Sequence, residues 1–250
     1  INVTFRGMRL KVLDGIAHKM PPVVATAREM INLPPPQNLG SAGGAQDGTD
    51  MVFVVDVSKT MDAVDLAPSR LNAAKASVSS FARRRSTDRI GIVGFGGTAQ
   101  VAAPVSADLS ATLKAVEGLG RDPNMAGTSV TRGMLEAYEL LRVSDHPHKA
   151  IVLLTDGADN KMHLHPQTLA EIARRQGIRI HVIATGDTKP THYVIEQDIL
   201  GKMHRFEIPL STRPDERILK ALCLPTGGLY RHARNEIDLE KALREIAQFE

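Results

Sequence analysis

The sequence lacks tryptophan, has a single cysteine and carries almost no excess charge. Cys223 is alone among 250 residues, which excludes an intrachain disulfide framework and a cysteine-rich metal cluster. Basic residues number 31 and acidic residues 28, a net charge of +3, so the composition gives little support to a nucleic-acid partner. The most basic run, Arg83–Arg85, falls where a helix is predicted to end, and cations are favoured at that end of a helix.

Long apolar runs are also missing. No stretch approaches the roughly 20 apolar residues that a membrane-spanning helix needs, and no signal peptide is recognisable. The chain begins at Ile1 and not at Met, so we expect it to be the soluble part of a longer protein. Its hydrophobic share of 42% and charged share of 24% are those of a globular protein with a sizeable core.

The first 47 residues differ from the rest. A possible strand within residues 1–10 is followed by Pro34–Pro36 and by the glycine-rich Gly40–Gly44, a composition typical of linkers. We therefore predict an N-terminal extension and linker at 1–47 and one main domain at 48–250, with an irregular insertion or hairpin near 187–212.

From Asp50 onwards, short apolar runs alternate with amphipathic segments. Strands are predicted at 51–56, 89–95, 99–105, 149–155, 178–185 and 228–231, and helices at 68–81, 109–119, 130–141, 169–176, 215–224 and 237–249. This alternation predicts an α/β fold, with a doubly wound, mostly parallel central sheet flanked by helices and one short antiparallel edge strand.

Oxygen-bearing side chains follow several of the predicted strands. In open α/β sheets, ligands collect beyond the carboxyl ends of the strands, so residues from separate loops can meet there. Carboxylate and hydroxyl oxygens suit Mg²⁺ or Ca²⁺, and two carboxylates with three hydroxyls leave positions for water or an outside carboxylate. The predicted metal ligands are Asp56, Ser58, Thr60, Thr128 and Asp156.

This order of motifs resembles the von Willebrand factor A domain with its metal-ion-dependent adhesion site. The resemblance rests on Asp-x-Ser-x-Thr after a buried strand, a loop threonine and the final Thr155–Gly157, and it covers residues 48–250. It implies a protein-binding module and not an enzyme, with Mg²⁺ (or Ca²⁺ or Mn²⁺) on the five predicted ligands and a partner's Asp or Glu completing the shell. The family usually has serine where this chain has Thr60, which keeps the hydroxyl but stiffens χ1.

Longer segments resemble the bacterial Bat (aerotolerance) and related von Willebrand A proteins. The resemblance implies a membrane-anchored protein whose domain faces the periplasm. It also implies an accessory or assembly factor that acts with a MoxR-type AAA+ ATPase, in the maturation of, or metal insertion into, a periplasmic metalloenzyme such as methanol dehydrogenase. The segments that carry it are Asp56–Met61, Pro68–Lys75, Asp88–Phe95, Ile151–Gly157 and Thr226–Tyr230.

Two alternatives remain open on the residues alone. The Asp-x-Ser-x-Thr motif resembles the nucleophile motif of haloacid-dehalogenase-type phosphatases, in which Asp56 would attack phosphate, but the aspartate that acts as general acid there is missing. In the other alternative the domain is structural and has no working metal site, and Asp56 caps a turn.

Several further residues are weaker candidates. The histidine pairs lack a third ligand at a defined spacing, so we predict exposed loop histidines and no transition-metal site. Cys223 is predicted to be a small core residue. The residues concerned are His146, His148, His163 and His165, together with Asp159 and Asn160 as possible supports for the Asp156 turn.

Overall fold

The computed structural model describes residues 2–5, 8–11, 30–31, 48–122, 125–157, 163–186, 192–197, 202–207 and 214–250. Its strands, in chain order, are β1 (Asn2–Phe5), β2 (Met8–Lys11), β3 (Asp50–Asp56), β4 (Arg89–Phe95), β5 (Ala99–Ser106), β6 (Lys149–Thr155), β7 (Ile178–Thr185), β8 (His192–Gln197), β9 (Met203–Glu207) and β10 (Tyr230–Ala233). Its helices are α1 (Arg70–Arg84), α2 (Leu109–Gly118), α3 (Val130–Arg142), α4 (Pro166–Arg175), α5 (Glu216–Cys223) and α6 (Glu236–Phe249).

A six-stranded sheet lies at the centre, in the order β10-β7-β6-β3-β4-β5. All neighbours pair in parallel except β4 and β5, which are antiparallel. The predicted α/β class, with a mostly parallel sheet and one antiparallel edge strand, is therefore confirmed.

Helices cover both faces of the sheet, which is why the central strands are apolar along their whole length. Successive side chains of β3 point to opposite faces, so Phe53 and Val55 pack with α1, α2 and α6, whereas Val52 and Val54 pack with α3, α4 and α5. Every residue of β3 is buried. Cys223 is fully buried in the second of these cores, as predicted.

Four helices begin at other residues than predicted, and for α5 and α6 the difference is a single residue. The first, α1, begins at Arg70 and not at Pro68, because the Ser69 hydroxyl accepts a hydrogen bond from the backbone of Asn72 and caps the helix. The helix α4 begins three residues earlier than predicted, at Pro166, since proline suits the first helical position and the His165 ring caps the turn.

Two antiparallel hairpins lie outside the main sheet. Strands β1 and β2 form one, where a single strand was predicted, and β8 and β9 form the other within the predicted insertion. Residues 187–191, 198–201 and 208–212 of the predicted insertion lie outside the described residues. Strand β8 contacts the short 3-10 helix Lys59–Asp62.

The division at residue 47 stays a prediction, since the linker at 34–44 lies outside the described residues. Within the described part of the chain, no helix combines the length and apolar character needed to cross a bilayer.

Close packing of α3 on β3 and β4 gives a test of the fold. A Cβ at Gly133 would lie 2.8 Å from Val54 Cγ1 and 3.0 Å from the Phe95 ring, so Gly133→Val should lower the free energy of unfolding. We expect a loss of about 2 kcal/mol in urea unfolding. The matched control is Gly118→Val, where a Cβ meets nothing within 4 Å, and its effect should stay within about 0.5 kcal/mol. Equal effects would contradict the close approach.

Candidate metal centre

The strand order places the predicted ligands at one edge of the sheet. The chain first builds β4 and β5 on one side of β3 and later builds β6, β7 and β10 on the other side. The crevice where the order reverses is the usual ligand site of such sheets. Asp56 ends β3, and Asp156 directly follows the neighbouring strand β6.

Asp56 is fully buried and its carboxylate is held by two hydrogen bonds. Its Oδ1 accepts from the backbone N–H of Ser58 at 2.9 Å, and its Oδ2 accepts from Thr155 Oγ1 at 2.7 Å. The first bond forms a tight turn after the strand, and the second ties Asp56 to the end of β6. Both oxygens therefore have a fixed direction.

Ser58 and Thr60 bring their hydroxyls together. Ser58 Oγ and Thr60 Oγ1 are 3.2 Å apart, at the start of the 3-10 turn that the bond from Met61 N–H to Ser58 C=O closes at 3.0 Å. The Met61 side chain is fully buried beneath the turn and anchors it. Ser58 and Thr60, two positions apart in the sequence, thus place their hydroxyl oxygens next to each other.

Thr128 reaches the same edge through the end of β4. Gly127 has a φ of +94°, and the N–H of Ser129 donates to Gly96 C=O at 2.7 Å. A Cβ at Gly96 would lie 2.3 Å from Met125 C=O, so only glycine permits this close approach of the loop. Thr128 is buried and lies on a loop held at the strand next to β3.

The two buried carboxylates interact electrostatically. Burial, and after it the charge of Asp156, raise the pKa of Asp56 to about 7 from 3.8, although hydrogen bonds from Ser58 and Thr155 oppose the rise. Asp156 is itself fully buried and pairs with Arg70, whose Nη1 donates to Asp156 Oδ2 at 3.1 Å. Two buried acids side by side form a site that favours a cation.

This donor set fits a hard divalent cation. It combines buried carboxylates with buried or half-buried hydroxyls, as Mg²⁺ and Ca²⁺ require. No group of three or more His, Cys, Asp or Glu side chains could hold a metal ion within the described ranges, so a metal at this edge depends on the hydroxyl oxygens. The assignment of individual ligands stays a prediction.

One prediction about the histidines is wrong. His146 is 6% exposed and not an exposed loop residue, because its Nδ1 lies within hydrogen-bond distance of the backbone of His148 and its ring fills its own turn. His148, His163 and His165 are exposed, as expected. The candidate supports at 159 and 160 lie outside the described residues.

Three residues near the centre were not among the predicted ligands or their predicted supports. Thr155 ends a predicted strand and binds Asp56. Arg70 and Asp65 form a buried ion pair at 2.6 Å beside Asp156. The sequence held one sign that Arg70 has buried partners. It lies near the predicted start of a helix, where the macrodipole disfavours a cation.

A cavity of about 620 Å³ opens beside the centre, between β5 and α2. Val57, which lies between two predicted ligands, forms part of its wall, and Met125 of the loop before Thr128 forms another. Its rim carries the exposed Lys114 and Arg121. The cavity gives room for more than a single side chain next to the centre.

Comparison with known sequences identifies related proteins. Residues 51–158 match the family model of the von Willebrand factor type A domain. A UPF0353 protein of Mycolicibacterium paratuberculosis is 30% identical over 206 residues, covering 78% of this chain and 59% of the relative. The chain thus spans less than two thirds of that protein's length.

Solved structures with a similar fold include an aerotolerance-related membrane protein from Bacteroides fragilis. It is 22% identical, with a TM-score of 0.66 and coverage of 80% of this chain and 98% of that one. Proximal thread matrix protein 1 of the mussel byssus, solved with a zinc-occupied MIDAS motif, is 16% identical, with a TM-score of 0.60 and coverage of 81% and 45%. At these identities the likeness shows the shared fold.

The raised pKa of Asp56 predicts how the metal-free protein responds to pH. The folded protein keeps this proton up to about pH 7 and the unfolded chain releases it near 3.8, so the native state binds more protons between these values and stability falls as the pH rises. Between pH 5 and 8 in chelator, we expect wild type to lose about 2 kcal/mol more than Asp56→Asn in urea unfolding. The same pH slope in both proteins would contradict the shift.

Proposed function

The chain contains a von Willebrand factor type A domain, and we propose that this domain is a metal-dependent protein–protein interaction module. The observation that carries the proposal is the buried pair Asp56 and Asp156, placed at adjacent strand ends with hydroxyl groups beside them. Such a pair is costly without a cation. A bound Mg²⁺ (or Ca²⁺ or Mn²⁺) would offer its remaining coordination positions to an oxygen ligand from outside.

The residues of the candidate metal centre have different roles in the proposed binding. Asp56, Ser58 and Thr60 lie on one turn, and the hydrogen bond from Thr155 directs Asp56 without adding charge. Thr128 and Asp156 approach from the loops on either side. Five protein ligands leave a coordination position open on the ion, and only two of them are carboxylates, so a partner's Asp or Glu can complete the shell.

The surroundings suit an acidic segment of a protein partner. The cavity beside Val57 can receive residues that flank the metal-binding acid. Lys114 and Arg121 outnumber Asp122 among its charged lining residues, which gives the lining a net positive charge. In this proposal the domain binds and does not catalyse. A phosphatase of this type needs an aspartate as general acid two residues after the nucleophile, and this chain has Ser58 at that position.

The proposed setting is the assembly of another protein. The Bacteroides protein of similar fold is described as aerotolerance-related and as a membrane protein, and the mussel protein holds zinc at its MIDAS motif. These likenesses and the motif resemblance support a periplasmic domain of a membrane-anchored protein. It would act with a MoxR-type AAA+ ATPase as an accessory factor in the maturation of, or metal insertion into, a periplasmic metalloenzyme.

Metal binding tests the ligand set. Asp56→Ala should abolish Mg²⁺ binding in calorimetry, because it removes a charged ligand. Thr60→Val should weaken binding about tenfold, roughly the 1.4 kcal/mol of one polar contact, whereas the matched Thr60→Ser should bind like wild type. Unchanged Mg²⁺ affinity in Asp56→Ala would refute the site, and no thermal stabilisation of wild type by Mg²⁺ would favour a structural domain.

Retention of a partner tests the module. A MoxR-type AAA+ ATPase from the same organism should bind immobilised wild-type protein in Mg²⁺, and EDTA or Asp56→Ala should release it, because the partner's acid needs the metal. Thr60→Ser is the control that should retain it. Retention that is indifferent to EDTA would contradict the proposal, and Mg²⁺-dependent release of phosphate from an aryl phosphate would favour the phosphatase alternative.

A further inference from the structure

Arg70 is a buried arginine that touches the candidate metal centre. Its side chain is 5% exposed, and its Nη1 donates to Asp156 Oδ2 at 3.1 Å. Its Nε and Nη2 donate to the two oxygens of Asp65 at 2.7 and 2.6 Å. One guanidinium therefore joins a predicted metal ligand to a second buried acid.

The position of Arg70 is unfavourable for a cation on local grounds. It is the first residue of α1, where the helix macrodipole favours acidic side chains. Burial also opposes the charge, but hydrogen bonds and charges from Asp65 and Asp156 outweigh it and hold the pKa of Arg70 above its ordinary value. Tertiary contacts thus keep a positive charge where the helix alone would not favour one.

Gly186, which follows β7, confines the guanidinium from another side. A Cβ at this position would lie 2.7 Å from Cζ and from Nη2 of Arg70, and the φ of +115° itself favours glycine. The guanidinium is therefore held between a glycine backbone and two carboxylates. It has little freedom to turn away from Asp156.

Building on the proposed metal-dependent function, we propose that Arg70 is a positioning residue that engages one oxygen of Asp156 and limits the charge this carboxylate gives to the metal. Guanidinium is permanently charged and binds carboxylates directionally, so it holds one of the two Asp156 oxygens that a divalent ion could use. Asp56 is then the main carboxylate of the centre. The centre keeps more positive charge for the partner's acid.

A matched ion pair at the other end of β3 allows a purely structural role to be separated from this one. Arg89 binds Asp50 through Nε and Nη2 at 2.6 and 2.5 Å, and Asp50 is as fully buried as Asp156. Asp50 begins the strand that Asp56 ends. Arg89→Met therefore removes an arginine from a buried aspartate far from the centre.

Mn²⁺ is the probe, since calorimetry gives its affinity and water-proton relaxation reports the waters bound to it. Arg70→Met should tighten Mn²⁺ binding about tenfold, because a unit charge several ångströms from the ion is removed. The relaxation enhancement per bound Mn²⁺ should fall, since the released Asp156 displaces water. Arg70→Lys, which keeps the charge without the fork, should fall between wild type and Arg70→Met. Arg89→Met should match wild type in both measurements.

Asp65→Asn is a second variant that does not leave Asp156 without its arginine. It removes the charge and one of the two acceptor oxygens of the other partner of Arg70, so the guanidinium engages Asp156 more fully and Mn²⁺ affinity should fall. Unchanged or weaker binding in Arg70→Met overturns the inference, and so does unchanged or tighter binding in Asp65→Asn. If the wild-type protein binds no Mn²⁺, the proposed function itself is refuted. If the wild type binds Mn²⁺ and both variants bind it with the same affinity, only the role of Arg70 is refuted.

Discussion

The repulsion between two buried carboxylates is the constraint on which the rest of the site depends. Asp56 and Asp156 lie close together because the parallel register of β3 and β6 sets both strand ends at one level. Neither can retreat to solvent while the strands keep their pairing, and both are fully buried. The fold therefore creates a place with excess negative charge. Arg70 neutralises part of it, and a divalent ion is the natural complement for the remainder.

The scaffold around this place is built for close approach. Helices on both faces make β3 a fully covered strand, so its last residue leaves an apolar interior directly into the site. The loop that carries Thr128 is tied to the end of β4 at Gly96. The predicted ligands, which come from three separate stretches of chain, are thus fixed relative to one another by backbone contacts. A site fixed by backbone is ready for its ligand before the ligand arrives.

The sequence predicted what depends on local pattern. Valine-rich runs gave β3, and oxygen-bearing residues directly after the strands gave the candidate ligands, because strand ends in a parallel sheet meet at one edge. The partners of Arg70 could not be predicted, since they depend on how Gly186 approaches α1 in three dimensions. The burial of His146 was missed for a similar reason. Its ring fills a turn whose shape cannot be predicted from the pattern of residues.

The placement of Asp56 at the end of the central strand has a mechanical consequence. A partner that pulls on the centre along the strand loads β3 lengthwise. Strand β3 is bonded in parallel along its length to β4 on one side and to β6 on the other. The pull is then resisted in shear by both ladders together, and not by bonds that open one after another. A load applied along β3 at this edge would therefore be shared between two parallel ladders.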